Sequence, residues 1–127
     1  MTLTDPFPFN VVNGVTLNGT LTVTSSLGQR AGLAFIGTQT LGGNGQVVFA
    51  GAGGNNVLLP TSGTLTIGPA LTIHGGTGAI GDQSLPLVNA GTISADVGGR
   101  TIFIQGNPFT NTGTTQELNG GKLVIVP

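Results

Sequence analysis

Residues 87–108 read LVNAGTISADVGGRTIFIQGNP, and residues 109–127 read FTNTGTTQELNGGKLVIVP. Set one above the other at a spacing of 22, Asn89 falls on Asn111, Gly91 on Gly113, Gly98-Gly99 on Gly120-Gly121 and Arg100 on Lys122, and each copy closes on a proline. Each copy runs from a short strand through a Gly-containing turn to a second strand, and then through a Gly-Gly turn to a third. A repeat of 20–50 residues is the mark of a chain that stacks one supersecondary unit on the next. Two echoes precede it: residues 15–24 (VTLNGTLTVT) resemble residues 59–68 (LPTSGTLTIG) at an offset of 44, and residues 42–47 (GGNGQV) resemble residues 75–80 (GGTGAI) at an offset of 33.

Between the glycine-rich corners lie runs of three to five residues, including Thr20-Leu-Thr-Val-Thr24, Val47-Val-Phe49, Thr64-Leu-Thr-Ile67 and Thr101-Ile-Phe-Ile104. Several alternate apolar with polar residues, which in a strand puts one set inward and the other outward. No stretch carries a helical period with capping residues. The reading is all-β: a single β-solenoid domain over residues 1–127, with about 22 residues per coil and five to six coils. Residues 1–14, with Pro6 and Pro8 in DPFPFN, are placed as an N-terminal cap and residues 15–127 as coils. A β-sandwich of short strands is the alternative, but it has no need to repeat Gly-Gly-basic in one register. In the solenoid, Asn89 and Asn111 would either stack as an asparagine ladder or serve as unstacked turn residues. Leu123, Val124, Ile125 and Val126 would form an open strand edge through which copies could assemble.

Composition narrows function more than it assigns it. Of the 127 residues 6% are charged and 24 are glycine, yet 38% are hydrophobic, unlike the polar, highly charged composition of disordered chains. Three cations against four acids leave a net charge of −1, too few cations to line a nucleic-acid backbone or an anionic membrane. No apolar run is long enough for a membrane-spanning helix. With no cysteine there is neither a disulfide nor a thiolate site.

Candidate sites are sparse. GTGAIG, residues 76–81, has the glycine spacing of a dinucleotide loop, but Pro86 would fall within the first turns of the helix that must follow. As a calcium loop the same stretch puts Ile80 where a carboxylate is required. Ile80 is therefore expected to face inward, with the glycines turning a corner; no cofactor or metal site is expected. Ser84, His74 and Asp82 could be drawn as a nucleophilic triad, and Asp96 with Glu117 as a carboxylate pair on adjacent coils. The reading preferred here is a solvated corner histidine and a surface charge cluster, with Arg100 stacked over Lys122. Threonines in T-x-T strands would suit ice binding if they stacked in one row, but Thr101-Ile-Phe-Ile104 and Leu123-Val-Ile-Val126 interrupt the row.

At LVNAGTIS and FTNTGT the pattern L/F-x-N-x-G-T, followed by a turn and a strand such as GGKLVIV, resembles the coil repeats of filamentous-haemagglutinin-like adhesins and autotransporter passenger regions. The resemblance is clearest over residues 63–127. It implies a right-handed parallel β-helix at the bacterial cell surface or in the medium, acting as a non-catalytic stalk or adhesin. The expected partners are further coils of a longer parent helix, another copy stacked end to end as a fibre subunit, or a host or surface glycan. A polysaccharide-binding or polysaccharide-cleaving β-helix is the lesser alternative.

Overall fold

The computed structural model describes residues 1–4, 7–51 and 53–126. Its strands, numbered in chain order, visit three sheets in strict rotation. Sheet A holds β1 (Thr2–Thr4), β4 (Thr20–Thr24), β7 (Gln46–Ala50), β10 (Thr72–Gly75), β13 (Thr92–Ala95) and β16 (Thr114–Glu117). Sheet B holds β2 (Phe9–Val11), β5 (Ala31–Phe35), β8 (Asn56–Pro60), β11 (Gly78–Ile80), β14 (Thr101–Gln105) and β17 (Lys122–Val126). Sheet C holds β3 (Val15–Thr16), β6 (Gln39–Gly42), β9 (Leu65–Ile67), β12 (Leu87–Asn89) and β15 (Phe109–Asn111). Every ladder is parallel. The chain is a β-solenoid of about five turns with roughly 23 residues per turn, and no helix occurs among the described residues.

The core is a column in which each coil lays its inward residues on those of the last. Leu21, Val47, Ile73 and Ile93 follow one another in sheet A, and Leu33, Leu58, Ile80 and Ile104 in sheet B. Sheet C adds Leu65 and Leu87, with Leu41 over Ile67. All of these are buried. The period-two alternation works as expected, since within Thr101-Ile-Phe-Ile104 both isoleucines are fully buried and Phe103 is exposed. Residues 2–4 and 9–11, within the span assigned to a cap, are ladder strands of the first coil. Asp5 and Pro6 of that span lie outside the described residues, as does Pro127.

The register corrects the repeat lengths. Coils vary: Thr20 pairs Gln46, 26 residues on, whereas Thr72 pairs Thr92, 20 residues on. The offset of 44 therefore relates strands of different sheets, with Thr22 in sheet A and Thr66 in sheet C. The offset of 33 likewise matches the start of β7 in sheet A to β11 in sheet B. The spacing of 22 holds for Asn89 on Asn111 and Thr92 on Thr114. It shortens to 21 after the next corner, where Thr101 pairs Lys122. Arg100 thus does not stack on Lys122: the second copy is one residue shorter at that corner, and its turn centres on Asn119-Gly120, both left-handed, opposite Gly98-Gly99.

Three buried amides close the three kinds of corner. Gln39, where sheet B passes to C, donates to Val11 O and Ile36 O and accepts from Gly14 N. Asn56, where A passes to B, donates to Ala50 O and Thr77 O and accepts from Ser25 N. Asn89, where C passes to A, bonds both N and O of Gly91 and donates to Asn111 Oδ1 at 2.9 Å and to Thr114 O. Each bonds main chain of its own corner and of a neighbouring coil. The corners thereby satisfy polar groups that an apolar column cannot.

Candidate functional site

Unequal corners between sheets A and B carve a notch into the solenoid wall. The corner from β7 to β8 spans residues 51–55 and that from β13 to β14 spans residues 96–100, while the corner between them, from β10 to β11, has only Gly76 and Thr77. Two longer corners thus flank a short one. The resulting cavity of about 400 Å³ is lined by Val48, Ala50, His74, Gly76, Asp96 and Arg100, among others.

The short corner is possible because of its glycines. Phe49 is inward and almost fully buried, and its ring lies where a Cβ on Gly78 would be. A side chain on Gly75, at φ +120, would overlap the Phe49 carbonyl. Phe49 of one coil therefore fills the space that two glycines of the next leave open, its ring beside Gly78 and its main chain beside Gly75. Arg100 packs its stem over Gly76, whose Cβ would lie 3.6 Å from Arg100 Cγ. The stretch GGTGAIGD is thus a corner, with Ile80 fully buried in the column. Its end is held by Asp82, which accepts from the Ser84 hydroxyl at 2.6 Å and from Ser84 N at 2.8 Å. The hydroxyl contact first, and the amide second, lower the Asp82 pKa below the ordinary carboxylate value.

His74 corrects the expectation of a solvated corner histidine. It stands on strand β10, with its side chain 25% exposed, and bridges coils on both sides. Nδ1 lies 3.0 Å from Asp96 Oδ2 on the next coil, and Nε2 lies 2.8 Å from Gln46 Oε1 on the previous one. The Gln46 amide is oriented by its donation to Thr20 Oγ1 at 3.0 Å. Both ring nitrogens consequently face acceptors. The Arg100 guanidinium has no hydrogen-bond or ion-pair partner among the described residues.

The other sequence candidates separate. Ser84 bonds Asp82 while His74 bonds Asp96 and Gln46, so the three do not form a triad. Asp96 turns to His74, whereas Glu117 stands on the inward row above Ala95 and accepts from Leu123 N at 2.7 Å. Asn89 and Asn111 face each other as ladder partners. Leu123 and Ile125 continue the inward rows of Ile102 and Ile104, while Val124 and Val126 lie over Phe103 and Gln105.

Sheet A also sorts the threonines differently from the sequence reading. Its outward rows run Thr20, Gln46, Thr72, Thr92, Thr114 and Thr22, Val48, His74, Ser94, Gln116. Thr101 and Leu123, which seemed to break the row, belong to strands of sheet B or its edge, and Thr64-Leu-Thr66 leads into sheet C. A second, more polar hollow of about 290 Å³ opens at the opposite margin of the same face, lined by Asn18, Thr20, Asn44, Gln46 and Thr72. Sequence reasoning missed this shelf, Gln46 and Asn56, because unequal coils hide which strands share a sheet.

Comparison with known proteins finds no matching family model, no matching curated protein and no matching solved structure.

Proposed function

We propose that this chain is a structural segment of an extracellular β-solenoid stalk or adhesin that works by shape and without catalysis. The observation that carries the reading is the unbroken column with its three parallel ladders, which makes each coil a mechanical repeat. The separation of Ser84, Asp82 and Glu117 from the His74–Asp96 pair, which leaves neither the triad nor the carboxylate pair assembled, supports the non-catalytic part. A spacer tolerates added length. Duplicating residues 87–108, the repeat of one near-regular coil, should give a folded protein lengthened by about 4.8 Å in solution scattering. Failure of that variant to fold would remove the spacer reading. Placement outside the cell is checked by antibody labelling of intact producing cells, and labelling only after lysis would refute it.

A second reading is a fibre subunit stacking head to tail. The supporting observation is β17, a five-residue strand that pairs only with β14, leaving its other edge open among the described residues. Further coils of one polypeptide would cover that edge in the same way. Ile125 is the residue to alter, because it continues the column and is half exposed. Ile125→Asp should disperse assemblies seen by light scattering, and a monomeric wild type at all concentrations would eliminate stacking.

A further inference from the structure

We propose that the outer face of sheet A, between its two marginal hollows, binds an acidic oligosaccharide, with Arg100 receiving a sugar carboxylate. The inference rests on the fold and holds whether the chain is a stalk or a fibre.

The argument begins with what the face offers. One hollow presents Asn18, Asn44, Gln46 and Thr72, and the other presents His74, Asp96 and Arg100 over the apolar Val48 and Ala50. Gln46 joins them, lining the first and bonding His74 in the second. Strand β7 alone spans roughly 15 Å at about 3.3 Å per residue, room for a short oligomer. Hydroxyl and amide groups dominate, and these pair with a ligand that is itself rich in hydroxyls. The one Lys or Arg lining the two hollows is the Arg100 guanidinium, whose planar fork matches one carboxylate in a two-bond contact. Its stem is already seated on Gly76, so less freedom is lost on binding. Asp96 is anchored by His74 through Oδ2, while Oδ1, with no partner among the described residues, remains to accept a sugar hydroxyl.

The same features disfavour other partners. A nucleic-acid backbone requires several cations along one face, and the chain contains three in total. Of the Trp, Tyr and Arg that typically anchor a protein interface, this face has only Arg100, since the chain has neither Trp nor Tyr. Phe49, the one phenyl ring at the hollows, is almost fully buried, so a sugar is held by its hydroxyl edge and its acid group, and affinity is weak and depends on the charge contact.

The test is a titration of the isotopically labelled full chain, followed by amide shifts in NMR, with a trimer of galacturonate, a trimer of galactose and sodium sulfate as probes. Galacturonate should move amides of residues 46–51, 72–76 and 96–100 saturably, and the neutral trimer should bind at least about tenfold more weakly. Arg100→Met should reduce galacturonate affinity by roughly 10- to 100-fold, the range of a charged hydrogen bond. Arg30→Met, which removes the cation stacked on Phe7, should leave it unchanged. No saturable shift, an unchanged affinity in Arg100→Met, or equal affinity for the neutral trimer would overturn the proposal. Equal binding of sulfate at the same residues would overturn it too, by reducing the site to a bare anion contact.

Discussion

At the scale of single residues, the side chains that matter most are those whose absence makes room. Gly78 lies against the Phe49 ring, and the two belong to consecutive coils. Gly78→Ala should destabilise the fold by about 1–3 kcal/mol, the usual cost of overpacking. Pairing it with Phe49→Leu should cost less than the sum of the two single changes, measured as a double-mutant cycle in urea, because each relieves the other. Additive costs would show that the ring and the corner do not share that space. Asp82 offers a residue-scale pH effect. Its pKa is lower in the fold than in the unfolded chain because Ser84 bonds the ionised form. The stabilisation is therefore present above the unfolded carboxylate value and disappears as pH falls through the folded one. Asp82→Asn should be less stable than wild type at neutral pH and equal to it in strong acid; an unchanged gap across that range would contradict the assignment.

At the scale of elements, the corners carry the information that the strands lack. Strand runs were legible from the alternation of apolar and polar residues, and the expectation of an all-β solenoid rested on them together with the 22-residue copy. Coil lengths were not legible, because a parallel ladder constrains only which residues face each other and lets the corners absorb insertions. That freedom lets Thr72 pair Gln46 at 26 residues and Thr92 at 20, and it produced the two misleading offsets. The amide of each corner was legible only for Asn89, which had a visible copy in Asn111. Asn56 has no such copy: the residue opposite it on the next coil is Gly78. Replacing Asn56 by Leu would leave Ser25 N, Ala50 O and Thr77 O without their partner. A loss of about 2–4 kcal/mol is expected from stranding such groups, read from the urea midpoint. A change below about 0.5 kcal/mol would mean that water replaces the amide.

At the scale of the whole molecule, stability should follow position along the axis. Inner coils are paired on both sides, whereas β15, β16 and β17 are paired on one, and the inward row at that end turns polar with Asn111, Thr115 and Glu117. In a stack whose energy is a sum of coil and nearest-neighbour terms, hydrogen exchange should be slowest in β7 to β14 and faster in β15 to β17. Uniform protection along the axis would refute that gradient. The sequence by itself determined the class of fold: glycine-rich punctuation, short β-forming runs and one near-exact copy admit little but stacked strands, since local pattern dictates which residues turn inward. It also determined that Ile80 belongs to the core, because alternation decides the inward face. Only the tertiary structure decided which strands lie side by side. Adjacency in a solenoid is the sum of every corner length before it, so one short corner shifts all that follows. That one sum brought His74 between Gln46 and Asp96 and opened the notch beside Arg100.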